Sequence, residues 1–239
     1  GSTGDGFRWL ADLRHTVKEP TPSVVPLAVS DAWVKSLAGV ALDQVRITFC
    51  VEEKPRLALN GRILCTHFGI SGPLILNAAV KVADMLHDGV VTATIDLFPK
   101  FDLGTLDAHV TKIFEGNKNR DVKNVMKLIA PKGASTAILT LFSADLVEKK
   151  VHSITKLERK TIVQTLKALP MTITGLMGYE RAVIADGGLA YSDVDGKTMR
   201  SRKYPNLFIT GDLLHISRPS GGYSLQLCWT TGWIAGNTV

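Results

Sequence analysis

Near the carboxyl end of this 239-residue chain, Asn206-Leu207-Phe208-Ile209-Thr210 reads as a short apolar strand, Gly211-Asp212 follows at once, and Gly221-Gly222 stand just before a helical run opened by Tyr223. That order places chemistry where ligands usually bind, at the carboxyl edge of an α/β sheet. A carboxylate there, Asp212, can accept hydrogen bonds from the hydroxyls of a sugar-alcohol chain, and Gly211 lets the backbone approach it. Two glycines before a helix leave its first amides pointing outward with a partial positive charge, suited to the electron-rich edge of a flat ring. Taken singly, Gly211-Asp212 would be an ordinary turn and Gly221-Gly222 an ordinary helix start. Their succession is what carries the signal.

Groups for proton transfer are less clearly marked. His67 sits in the glycine-rich stretch Thr66-His67-Phe68-Gly69 and titrates near neutrality, and His215 follows Asp212 in the same loop. A structural histidine accounts for either position as well. Tyr223 could wall a ring or donate a hydrogen bond, while Trp229 and Trp233, four apart on one helix face, are expected to pack in the core. Cys50, Cys65 and Cys228 are odd in number and widely spaced, which argues against a disulfide framework or a metal site. Gly196-Lys197-Thr198 imitates the end of a phosphate loop without the preceding glycine, so a turn is expected there.

The elements that must position these residues follow from periodicity. Trp9, Leu10 and Leu13 recur at helical spacing; spaced prolines from Pro20 to Pro26 favour extended chain; Val45 to Phe49, Leu57 to Leu59 and Val90 to Phe98 read as strands. Pro73 opens a helix carrying Leu74, Ile75, Ala78, Ala79 and Val82. Between Pro99 and Pro170 the pattern turns helical, and Thr155-Lys156-Leu157-Glu158 has capping-box spacing for a helix expected to run to Leu169. Strands are expected at Met171 to Ile173 and Arg181 to Ile184, with tight turns at Gly187-Gly188 and Asp193 to Gly196. The 45% hydrophobic and 21% charged composition fits a water-soluble globular protein, with no apolar run long enough to span a membrane. A reducing cytoplasm is the expected setting. The formal charge of +6 is densest between Lys118 and Lys160 and is read as a solvated helix face; with no aromatic-rich strand or zinc spacing beside it, no nucleic-acid partner is expected.

The blocks Gly1 to Gly6, Pro20 to Leu27, Thr66 to Pro73, Asp186-Gly187-Gly188, Thr198-Met199 and Leu207 to Gln226 resemble, in that order, the YhiN-like (BaiN-type) bacterial NAD(P)/FAD-dependent oxidoreductases. The resemblance implies an α/β, overall α+β, architecture. In it, a two-dinucleotide-binding-type FAD domain (residues 1–22 and 197–239) is interrupted by a β-barrel-like domain (23–98 and 171–196) that carries a helical insertion (99–170). It implies FAD as cofactor and NAD(P)H as electron donor, with Thr3, Gly4, Gly211, Asp212, Gly221, Gly222, Tyr223, Ser224, Leu225 and Gln226 near the flavin. Three positions depart from the family pattern: Asp212 replaces a Glu, His215 an Asp and Ser224 an Asn. Arg14 stands where a helix-ending Gly is usual, at a cost of about 1 kcal/mol if the backbone is left-handed there. No G-x-G-x-x-G fingerprint occurs among the 21 glycines. The expected protein is therefore the carboxyl-terminal portion of an oxidoreductase that passes hydride from NAD(P)H through FAD to a small organic acceptor, with its own amino-terminal domain as a partner. Whether it turns over alone stays open, because a non-catalytic scaffold that has lost its nucleotide-binding domain has the same features.

Overall fold

The computed structural model describes residues 3–182 and 185–238. In chain order the elements are α1 (Asp5–Asp12), β1 (Val17–Pro22), β2 (Leu27–Val29), α2 (Ala32–Lys35), β3 (Ala41–Val51), β4 (Lys54–Thr66), β5 (Gly69–Ser71), α3 (Pro73–Asp88) and β6 (Val91–Asp96). There follow α4 (Leu103–Glu115), α5 (Val122–Ile129), α6 (Ser135–Leu139), α7 (Ala144–Glu148) and α8 (Lys156–Lys167). The chain closes with β7 (Leu169–Leu176), β8 (Ala185–Leu189), β9 (Val194–Asp195), β10 (Arg200–Ser201) and α9 (Tyr223–Gly236). The α+β class is as expected. No helix of the described residues is long and apolar enough to cross a membrane.

Two compact units divide the chain: residues 26–176, and residues 1–25 together with 177–239. In the first, six strands in the order β2-β5-β4-β3-β6-β7 close into an antiparallel barrel when β2 pairs with both β5 and β7. Alternation does the work: along β3 Val45, Ile47, Phe49 and Val51 are buried, and along β6 Val91, Ala93 and Ile95. The helices join the same core through Leu106, Val110, Val125, Met126, Ile138, Ile162 and Leu166. The capping box forms as its spacing predicts, Glu158 N donating to Thr155 Oγ1 and Thr155 N to the Glu158 carboxylate. α8 stops at Lys167 rather than Leu169, because Leu169 pairs with Ile95 and Pro170 with Thr94 at the start of β7, where a proline is tolerated.

In the second unit β1 pairs antiparallel with β8, so residues 177–196 group with the terminal segments rather than with the barrel, where the sequence reading placed them. Gly187 and Gly188 lie inside β8 and are not a turn. A Cβ on Gly187 would fall 2.6 Å from Pro20 Cα and one on Gly188 2.5 Å from the Leu213 carbonyl oxygen, so these glycines permit backbone to pack on backbone. Tyr179–Arg181 is a short 3-10 turn instead of the start of a strand, and Val183 and Ile184 lie outside the described residues. Asn206 closes a turn, and the run from Leu207 to Thr210 forms a single bridge among the described residues, Phe208 to Arg200, so the expected closing strand does not form there. Leu10, Leu189, Val194, Met199, Ile209, Leu214 and Ala235 make the core of this unit.

Candidate functional site

Within the terminal unit the start of α1, the 3-10 turn Gly211–Leu213 and the second turn of α9 converge on a cleft of about 300 Å³, lined by Gly4, Gly6, Phe7, Thr210, Gly211, Asp212, Leu213 and Cys228. Gly211 has φ 63, a conformation that favours glycine, and a Cβ there would sit 2.9 Å from Cys228 Sγ. Its amide donates to Thr231 Oγ1 at 2.9 Å, and that hydroxyl donates to Leu227 O at 2.7 Å, so α9 fixes the turn that carries Asp212. The Asp212 carboxylate is largely exposed and lies 3.4 Å from the guanidinium of buried Arg218, which also donates to Leu214 O. Arg218 thus fixes Asp212 without covering it.

α9 begins at Gly221 (φ 112) and Gly222 (φ 92) with no side-chain cap, and no atom lies within 4 Å of where a Gly222 Cβ would be. Its first amides are therefore uncovered by any capping group and carry the positive end of the helix dipole. Tyr223, Leu225 and Gln226 are exposed, while Ser224 Oγ is buried with no hydrogen-bond partner. Thr3 is exposed and its hydroxyl bonds the Asp5 carboxylate. So Gly4, Gly211 and Asp212 share the cleft, Thr3 adjoins it, and Gly221 to Gln226 form the helix turn preceding Cys228. An open glycine cradle, an exposed oriented carboxylate and an orphaned hydroxyl fit the ribityl and ring edge of a flavin.

The proton-transfer candidates separate. His67 is exposed in the turn between β4 and β5 of the barrel, packed edge-to-face on Phe68. His215 is half-buried in the terminal unit; its amide donates to Leu189 O at 2.8 Å and its Nδ1 approaches Asp186 Oδ1 at 3.5 Å without bonding it. Asp186, from β8, thus brings a carboxylate back beside the residue that replaces one. Tyr223 projects into solvent. Trp229 and Trp233 are 67% and 70% exposed, contrary to the expectation of core packing, because α9 turns Thr231 and Ala235 inward instead. Burial pushes the Cys65 thiol up to about 11, leaving it inert at neutral pH. No group of three metal-ligating side chains occurs among the described residues.

A second constellation was invisible in the sequence because its members are far apart. His15 Nδ1 lies 3.2 Å from Asp193 Oδ2 and Nε2 lies 3.1 Å from Ser201 Oγ, the order of an acid, base and nucleophile. Accounting for the hydrogen bonds decides against catalysis. Both lone pairs of Ser201 Oγ are taken, by the Lys203 and Tyr204 amides at 3.1 and 3.0 Å, which leaves none to attack a substrate. Ser201 is 4% exposed. The Thr16 amide, with His15 and Lys203, holds the Asp193 carboxyl below its usual range. The trio is a tie that fixes the end of α1 against the β9–β10 turn.

A family model described as "HI0933-like protein barrel and H2TH domain" matches residues 21–184. The chain belongs to the HI0933-like family. The resemblance read from the sequence blocks is borne out, and the match covers the closed barrel and the helices from α4 to α8. The chain is 25% identical over 244 residues to a 3-dehydro-bile acid delta(4,6)-reductase of Clostridium scindens, covering 100% of this chain and 58% of that protein. It is 24% identical over 236 residues to a ribosomal RNA dihydrouridine synthase of Escherichia coli, covering 98% and 55%. A protein of the same name from Haemophilus influenzae is 23% identical over 235 residues, with the same coverage. The chain spans little more than half the length of these curated relatives.

The sequence pointed to Gly211, Asp212 and the start of α9 but not to Arg218, Thr231, Cys228 or Asp186. Arg218 and Asp186 are charged residues in loop or strand context. Cys228 lines the cleft and buried Thr231 bonds the Gly211 amide only because α9 packs on the Gly211 turn.

Proposed function

We propose that this chain is the flavin-facing portion of an FAD-dependent reductase, in which NAD(P)H supplies hydride and an organic double bond receives it. The observation that carries the reading is the convergence of Gly4, Gly211 and Asp212 in one cleft with the uncapped start of α9 beside it. Asp212, steadied by Arg218, would accept hydrogen bonds from the ribityl hydroxyls, and Gly4 and Gly211 would let the chain approach. The Ser224 and Leu225 amides, with Ser224 Oγ, would meet the pyrimidine edge, where negative charge gathers on reduction. Bound flavin supplies the hydride chemistry; the protein positions, polarises and shields it.

The relatives' names describe hydrogen added across double bonds, in a bile acid and in uridine of ribosomal RNA. We place this chain's substrate in the same class. The exposed stripe Leu225, Trp229 and Trp233 on α9 suits a nucleotide-binding domain of the same protein as its cover. The test is to purify the complete gene product and record its visible spectrum before and after NAD(P)H. A yellow protein bleached by the nucleotide supports the reading. A colourless protein that FAD does not reconstitute refutes it and favours a non-catalytic scaffold.

A further inference from the structure

Arginine keeps its charge in proteins, so burying one leaves a cation whose five N–H groups need acceptors. Arg218, in the loop between the Gly211 turn and α9, is provided with few. Its side chain is 4% exposed. Nη1 donates to Leu214 O at 3.3 Å, and Nη2 lies 3.4 Å from Asp212 Oδ1. Nε, shielded from water, has no hydrogen-bond partner among the described residues. The Asp212 side chain is 59% exposed, so water screens its charge far more than that of Arg218.

The acids of the neighbouring elements are engaged elsewhere. Asp5, at the start of α1, is taken by Arg8 and Thr3, and Asp186, in β8, faces Lys18 and His215. α9 has no charged side chain between Tyr223 and Gly236, and its uncapped start adds the positive end of a helix dipole. A shielded cation therefore stands within 3.4 Å of a carboxylate that lines the cleft. A glutamine or methionine would fill the same loop without the desolvation of a charge, so what the guanidinium adds is electrostatic field. The isoalloxazine ring is uncharged when oxidised and gathers negative charge when reduced, and a fixed cation nearby binds the two forms unequally.

We infer that Arg218 sets the redox preference of this cleft, its field holding reduced FAD more tightly than oxidised FAD. The inference rests on the flavin reading of the cleft and adds to it a residue that does not line it. Arg218 also orients Asp212, and two substitutions separate the roles. Arg218→Lys keeps the charge and loses the fork of donors; Arg218→Gln keeps an amide donor and loses the charge.

The experiment uses the complete gene product with FAD kept saturating. The two-electron midpoint potential is measured by slow enzymatic reduction beside a reference dye, and circular dichroism checks each fold. Expected for Arg218→Gln is about a tenfold fall in the preference for reduced over oxidised FAD, read as a potential about 30 mV lower. Arg218→Lys should stay within about threefold of the unaltered protein, a difference of about 15 mV or less. The fall should persist when Arg218→Gln is made beside Asp212→Asn. An unchanged potential in Arg218→Gln, an equal fall in Arg218→Lys, or a fall that vanishes beside Asp212→Asn overturns the inference, because each reduces Arg218 to a structural support. Should Arg218→Gln not fold, the unaltered protein decides: its FAD should be reduced at a higher potential than free FAD, and an equal or lower potential overturns the inference. Any of these failures leaves bound FAD, and with it the reductase reading, in place; a complete protein that takes up no FAD sinks both.

Discussion

Arg14 offers a direct measure of how far the backbone of the terminal unit is set by geometry rather than by its own residue preferences. α1 ends in a paired bond pattern, His15 N to Leu10 O at 3.0 Å and Arg14 N to Ala11 O at 2.8 Å, which places Arg14 in the left-handed region at φ 61. An arginine pays for its Cβ there with about 1 kcal/mol. Its exposed side chain has no bond among the described residues, and Lys203 Nζ donates to its carbonyl oxygen. Arg14→Gly removes the Cβ strain and gives back a few tenths of a kcal/mol in unfolded-chain entropy, for a net stabilisation of about 0.5–1 kcal/mol. For a unit of this size that is a rise of roughly 2–8 °C in the melting midpoint. Differential scanning calorimetry records the midpoint, and the fluorescence of Trp33, buried in the barrel while Trp9, Trp229 and Trp233 of the terminal unit are exposed, marks the barrel's own transition. Arg14→Ala is the control: it keeps the Cβ and should gain nothing comparable. A lower midpoint for Arg14→Gly, or an equal gain from Arg14→Ala, would refute the strain argument.

Three further outcomes follow from single residues. Gly211→Ala should destabilise the terminal unit by about 1–2 kcal/mol in urea melts, since the left-handed backbone and Cys228 both oppose a Cβ. Lys167→Met should lower the stability of the barrel unit by about 2–3 kcal/mol, because its ammonium bonds Asp96 and the carbonyls of Phe98 and Phe101 while mostly shielded from water. Glu158 has its carboxyl held down at about 2, by Lys149 first and then by the Thr155 amide and hydroxyl. Its contribution is therefore complete above its ordinary value of about 4.5 and lost as pH falls towards 2. The stability gap between the protein and Glu158→Gln should be constant above that window and close through it; a gap that persisted at pH 2 would contradict the assignment.

What was legible in the sequence was whatever local spacing determines. The α8 capping box, the proline-started α3 and the alternating β3 were readable because the deciding partners lie within a few residues, whereas the left-handed Arg14 was signalled only by the glycine usual there in the family. What failed did so where distant chain decides. Gly187-Gly188 look like a turn until β1 lies against them, and Asn206 to Thr210 look like a strand although only Phe208 finds a bridging partner. His15, Asp193 and Ser201 come together across 178 and 186 residues, a separation no local pattern records. Trp229 and Trp233 were assigned to the core from helical spacing alone, which shows that two residues share a face but not which way the face points. For the candidate site, the glycines and Asp212 were readable as an ordered set, while Arg218 and Thr231, which hold them, were not.

The central claim is that Asp212 and the Gly211 turn face a flavin, and the most direct measurement is the dissociation constant of FAD from the complete gene product carrying Asp212→Asn beside that of the unaltered protein. Losing a charged acceptor of flavin hydroxyls should weaken binding by about 10- to 100-fold, the equivalent of about 1.5–3 kcal/mol, with the fold intact by circular dichroism. An unchanged dissociation constant would show that the flavin lies elsewhere.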